Sequence, residues 1–529
     1  SGTKQLVAAL GVAAPAGSVA DVTTHSIAAY RLYVEGLRAF YRANTVLAHG
    51  MFNAALNEDS TFALAAYYAG ITDPLPDKGR ATLARAVRLA ERASDRERLM
   101  IRAAWADIVS SPALGAIADT LRTRYPTEVQ GTFYTGITLM RAGDFLAAVP
   151  FFERVISMDS LALGLRDGQC AACSALQNLA LTYMMADSID AAIRTSRRWT
   201  KLQPASPAAW LTLAAGYELL GRTDDGIAAY RAGVAVDPSI ALYPWHPAVE
   251  YLAVYRLDEA DRELRVLEAA PATRHNALWF RVILLRQQGR MREALVTARE
   301  YRRVNAGREP SVPSVSSAIA EAQVHLESRA FRQAAALFDS IARAETPHLE
   351  PSQRARQRAW AFTHAANALA ELGDTVALRT HADSVRMDGA RSGFGRDGRL
   401  HYHIEGLRRR IAGDFEGAAA SFRRAIFSPN LGYTRTNLEL SRALLRTGRA
   451  PEAVATLQSA LRGHSDGSNL YANRTELHEA LADAWAAAGG ADSARAHYRV
   501  VADAWANGDP PFRARAARAR AAEESPSSR

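Results

Sequence analysis

Cys170 and Cys173 are the only cysteines in the chain. Their spacing in Gln169-Cys-Ala-Ala-Cys-Ser174 fits three chemistries: a redox pair whose thiolate a helix start would stabilise, half of a zinc site, or a local disulfide or thiol pair. No second CxxC, no following histidine and no preceding strand accompany the motif, so the structural pair is the leading reading and the other two stay open. Gly393-Phe-Gly395-Arg-Asp-Gly398 matches the dinucleotide fingerprint. That fingerprint requires a strand before it and a βαβ unit around it. Here it lies between helical segments, and a flexible inter-repeat loop is expected. His401 and His403 stand two residues apart and project from different faces of a helix, so they do not share one metal ion. His403 is expected instead as a hydrogen-bonding side chain. No HExxH occurs, and no Ser or Cys stands beside a base and an orienting acid. The chain reads as a non-enzyme with no cofactor.

The 529 residues are 48% apolar and 22% charged, values of a folded rather than a disordered chain. No window approaches 18 uninterrupted apolar residues, so no membrane insertion by this chain is expected. Of the 64 basic residues only Lys4, Lys78 and Lys201 are lysines. The net charge of +9 favours acidic partners at long range, but the arginines alternate with acids. No RNP, zinc-finger or helix-turn-helix signature is present, and nucleic acid is not expected as a partner. The chain opens on Ser1 with no charged-then-apolar leader, as processed, truncated or recombinant chains do. The compartment stays open, with an extracytoplasmic or cell-envelope setting preferred over the cytoplasm if an anchor precedes it.

A period of 34 residues governs the order of these side chains. With Cys173 as position 1, Leu179, Ala180 and Tyr183 take positions 7, 8 and 11, Ala192 takes 20 and Trp199 takes 27. The unit from Pro207 repeats this with Trp210, Leu213, Ala214 and Tyr217 at 4, 7, 8 and 11, Gly221 at 15, Tyr230 at 24 and Pro238 at 32. Units follow from Ala241 and His275, with weaker copies from Ala29, Ala63, Asp95, Val129, Val315, Ala359, Arg399, Thr434 and Thr475. Positions 4, 7, 8 and 11 form one face of a helix, and 20, 24 and 27 one face of a second. Each unit therefore predicts a helical hairpin, with Gly143, Gly221, Gly289, Gly413 and Gly448 in its turn. The small residues at 8 and 20 mark the closest approach of the two helices, with the aromatic at 24 filling the gap toward the next unit. A hairpin cannot bury its apolar face alone, so about thirteen of them must stack.

This pattern resembles the tetratricopeptide repeat over residues 29 to 505. The opening Thr23-Thr24-His-Ser26, with Ala29, Tyr30, Tyr33, Glu35 and Gly36, resembles the start of repeat regions at the C-terminal end of bacterial signalling proteins, serine/threonine kinases or winged-helix regulators. The resemblance implies an all-α fold, a right-handed α-α superhelix, with a concave side lined by the first helices. Ligands of the family contact positions 2, 5, 6, 9, 12 and 13. Carried onto this chain, the candidate groove residues are Tyr134, Asn178, Met185, Trp245, His246, Trp279, Phe280, Arg286, His403, Arg410 and Arg442, which are types that dominate binding hot spots. The Lys and Asn with which some members clamp a terminal carboxylate are absent: positions 5 and 9 read Gln177 and Leu181, Leu211 and Ala215.

The resulting expectation is a non-enzymatic scaffold that holds a protein or peptide segment, acidic at one end, as the sensing or interaction arm of a bacterial signalling protein. The alternative is a structural subunit that self-associates through exposed terminal hairpins. The expected divisions are a short helix (Lys4 to Leu10) and linker over 1–28, hairpins over 29–160, an insertion over 161–172, a regular array over 173–308, further hairpins over 309–505, and over 506–529 a capping helix with outward arginines, then a disordered tail.

Overall fold

The computed structural model describes residues 24–41, 45–159, 171–236, 245–305, 313–347, 349–431, 433–462 and 472–524. The expectations for Lys4 to Leu10, for the insertion at Leu161 to Gln169, for Cys170 and for the last five residues lie outside them. Among the described residues the chain is all-α, with 27 α-helices and no strand. The helices pair into successive hairpins from Ile27–Tyr41 with Thr45–Glu58 to Arg474–Ala487 with Ala491–Ala504, and Pro510–Glu524 closes the series. Most hairpins open within a few residues of a predicted repeat start; the exception is Pro351–Glu371, a helix of 21 residues that begins early on Pro351. By contacts the chain forms two compact units, one of 1–140, 146–179 and 198–206, the other of 141–145, 180–197 and 207–529.

The first unit is held by its small residues and rings. A Cβ on Gly36 would stand 2.6 Å from Phe52 Cε1, and Phe52 stacks on Tyr68 with ring centroids 5.1 Å apart. Ser94 and Glu97 exchange hydrogen bonds in a capping box that opens Asp95–Ile108, satisfying amides that the first turn leaves without partners.

In the second unit the same packing recurs at Gly406, where an added Cβ would stand 2.6 Å from Cε1 of the buried Phe422. The aromatic at position 24 thus lies against position 8 of its own hairpin, and not only toward the next unit. The hairpin turns are left-handed at position 15. Gly143, Gly221, Gly289, Gly373, Gly413, Gly448 and Gly489 have φ between 67° and 92°. Three hairpins keep that backbone without glycine: Asp187 (φ 57°), Tyr255 (φ 62°) and Arg329 (φ 62°). A side chain there costs about 1–3 kcal/mol unless its surroundings compensate.

For Asp187 and Tyr255 the compensation is a seam that the repeat pattern does not predict. The last carbonyls of a helix have no partner within it. In the second unit, segments entering the C-terminal hairpins donate to them. Gly395 N–H reaches Arg141 O (2.9 Å), Ser428 Oγ reaches Met185 O (2.8 Å) and Thr475 Oγ1 reaches Gln287 O (2.8 Å). Asn473 Nδ2 donates to Arg286 O, and Asp509 N–H to Gly289 O at 2.9 Å. Asp187 takes Arg462 and Asn430 on its carboxylate, while the Tyr255 hydroxyl lies 3.0 Å from Thr475 Oγ1.

The seam corrects two expectations. The GxGxxG loop is anchored: Gly395 packs on Ala142, Phe394 lies under the guanidiniums of Arg141 and Arg356, and the buried Asp397 accepts from Trp360 Nε1 (2.8 Å). The capping helix is not uniformly arginine-outward either. Phe512, Ala516 and Ala519 enter the core beside Trp505, and Arg515 turns inward onto Glu479.

Candidate functional site

First helices of successive hairpins in the second unit place charged side chains around one cavity of about 1280 Å³. It is lined by Leu400–Ile411, Thr434–Arg446 and Arg474–Ala487, by the ends of Pro313–Glu327 and Pro351–Glu371, and by the terminal helix. Each contributes two or more side chains, and within a repeat these come from one helix face because positions 2, 5, 9, 12 and 13 share it.

A continuous run of alternating charge follows the wall and extends beyond it to the buried Arg286. Arg286 holds Glu327 through both nitrogens, Nη2 at 2.5 Å and Nε at 2.9 Å. Glu327 meets Arg435 at 3.5 Å, and Arg435 meets Glu476 at 3.2 Å. Glu476 meets Arg442 (3.3 Å), Arg442 meets Glu439 (2.7 Å), Glu439 meets Arg410 (3.3 Å), and Arg410 meets Glu371 (2.8 Å). Charges so deep are tolerable only when paired in this way; the Arg286 and Glu327 side chains are 5% and 4% exposed. Burial pushes the Glu439 carboxyl up, but Arg442 and Arg410 outweigh it and hold the group below its ordinary range. Glu476 behaves alike under Arg435, Arg442 and Arg515. Asp483 goes the other way: burial raises it, although it accepts from the Tyr498 hydroxyl at 2.8 Å.

Arg410 and Arg442 are the sequence-predicted residues that line this cavity. Others lie elsewhere. Trp279 is a core residue packed on Tyr301, so its ring is not displayed as an anchor. Arg286 is buried and committed to Glu327 and Gln323. His403 is fully buried, with Nε2–H donating to Asn367 Oδ1 (3.0 Å) and Nδ1 accepting from Thr436 (3.0 Å); burial depresses its pKa to about 4 and keeps it neutral. Trp245 and Phe280 are half-buried and stack on each other 6.1 Å apart. His246 lies on Tyr230. Met185 is half-buried and its carbonyl belongs to the seam. In the first unit, Tyr134 is buried against Phe133, and Asn178 donates to Ser174 O of its own helix. Cys173 is disulfide-bonded.

Sequence reasoning missed the acids, Glu439, Glu476 and Glu479, and the arginines Arg435 and Arg515. The signal was present. Arg435 and Glu439 hold positions 2 and 6 of the unit from Thr434, and Glu476 and Glu479 positions 2 and 5 of the next; the reading chose aromatics, methionines and isolated arginines at those positions instead. Arg515 belongs to no repeat.

No known family profile and no curated protein matches the sequence. Among solved structures, the APC/C hetero-tetramer Cut9-Hcn1 aligns at 13% identity over 93% of this chain and 96% of its own, with a TM-score of 0.31. MamA MSR-1 C2 aligns at 15% identity over 40% of this chain and 99% of its own, with a TM-score of 0.21. Likeness this faint carries no argument about partner or activity.

Proposed function

We propose that the chain is a non-enzymatic interaction scaffold that holds an extended segment of a partner protein in the charged cavity of its second unit. The supporting observation is the cavity's size together with its lining. A volume near 1280 Å³ exceeds the range of about 300–1,000 Å³ usual for small-molecule pockets. The guanidiniums of Arg410, Arg435, Arg442 and Arg515 are already fixed by carboxylates, so a bound segment meets donors and acceptors whose geometry is set in advance. The resemblance of residues 23 to 36 to repeat regions of bacterial signalling proteins extends this proposal to a sensing or interaction arm. Self-association through an exposed C-terminal end is less favoured, because Phe512, Ala516 and Ala519 already cover the core there.

The test is selection of binders from a random peptide library, followed by affinity measurement on variants. Arg442→Ala is expected to weaken selected peptides by roughly 2 kcal/mol, while Arg265→Ala, away from the cavity, leaves them unchanged. Peptides that bind both variants like the unaltered chain would remove the site assignment.

A further inference from the structure

We infer that Arg329, with Arg292 and Arg518, forms an anion subsite at the cavity that receives the acidic side chains of the bound segment. The inference rests on the binding role proposed above and says which part of the ligand lies where.

The first observation is charge accounting. Of the guanidiniums lining the cavity, those of Arg410, Arg435 and Arg442 lie within 3.3 Å of a carboxylate, and Arg515 is paired with Glu479. They are neutralised before any ligand arrives. Arg292 is 82% exposed and stands 3.9 Å from Asp509, whose other oxygen accepts the Arg292 amide. Arg329 and Arg518 line the same cavity, are exposed, and form no ion pair among the described residues. Arg329 lies only over the Phe331 ring, at 5.7 Å.

The second observation is independent. Arg329 occupies the left-handed turn position that glycine fills in most hairpins, at φ 62°. The other two residues that keep this backbone without glycine in the second unit, Asp187 and Tyr255, both have tertiary partners there, Arg462 and Thr475. Arg329 has no such partner, yet its side chain faces the cavity. Among the described residues only the Phe331 ring meets this side chain, and backbone strain that no tertiary partner offsets clusters at ligand-binding sites. A guanidinium suits a carboxylate because its fork of donors matches both oxygens.

The experiment uses the full chain and fluorescein-labelled hexaglutamate, with hexaglutamine as the neutral control, read by anisotropy at about 50 mM salt, where screening is weak. Hexaglutamate is expected to bind at least about tenfold more tightly than hexaglutamine, a gap of roughly 1.4 kcal/mol. Arg329→Gly relaxes the turn, so its melting temperature should rise while the gap shrinks severalfold; a purely structural arginine predicts the rise alone. Adding Arg292→Ser and Arg518→Ser should abolish the gap. Equal binding of the two peptides, an unchanged gap in Arg329→Gly, or displacement by inorganic phosphate at concentrations where free glutamate has no effect would each overturn the subsite. If library-selected peptides still depend on Arg442 when hexaglutamate shows no preference, the scaffold reading stands and only the subsite falls.

Discussion

Glu327 joins two cations, Arg286 at 2.5 Å and Arg435 at 3.5 Å, from a position almost without water. Removing one member of such a set leaves a buried charge uncompensated. Glu327→Gln should therefore cost about 3–5 kcal/mol, whereas Arg286→Met combined with Glu327→Leu should fall near the unaltered stability. Urea denaturation of both variants checks this, and a double variant worse than the single one would refute it. His403 gives the pH dependence. Burial comes first among the causes that lower its pKa to about 4, while an unfolded histidine titrates near 6.5. Between those values the unfolded chain binds the extra proton, so the neutral ring's contribution is complete above pH ~6.5 and fades as pH falls toward ~4. The stability difference between the native chain and His403→Gln should shrink by about 2 kcal/mol from pH 7.5 to pH 5. A difference that stays constant would show that the ring titrates normally.

Helices here are shaped by small residues as much as by large ones. Gly406 costs its helix about 1 kcal/mol of propensity relative to alanine, yet a methyl group there would stand 2.6 Å from the Phe422 ring. Overpacking should win, so Gly406→Ala is expected to destabilise by about 1–3 kcal/mol. Gly373 is a useful contrast. Nothing lies within 4 Å of its would-be Cβ, and its φ is +72°, so Gly373→Ala tests the left-handed backbone without crowding. Thermal unfolding of the two separates crowding from backbone; a Gly406→Ala chain as stable as the parent would mean that Phe422 shifts freely. At this scale the sequence was readable. The spacing of Ala180, Ala192, Ala214 and Gly221 implied paired helices and their turns, because a 3.6-residue repeat leaves a periodic trace.

Repeat arrays are expected to be stabilised by neighbouring hairpins alone. The second unit departs from this: Asn473 donates to Arg286 O across 187 residues, and Arg462 reaches Asp187 across 275. Replacing Asn473 with Ala and Thr475 with Val strands buried carbonyls, at about 1–3 kcal/mol each. Hydrogen exchange should then accelerate selectively in 474–524, with 274–305 less affected; uniform acceleration would mean that the seam does not couple these segments.

The amino-acid order by itself determined the helical hairpins, their register and the positions whose side chains share a face, since local periodicity writes these directly into the chain. Arg410 and Arg442, groove candidates by resemblance, line the cavity of the second unit. Only the tertiary structure decided which of the remaining candidates are displayed. Trp279, Arg286 and His403 carry the right residue types, but neighbours far away in sequence bury or pair them. The seam, the inward turn of Arg515 and the place of Arg329 in the cavity lining depend on tertiary contacts, and such contacts leave no period in the sequence from which they could be read.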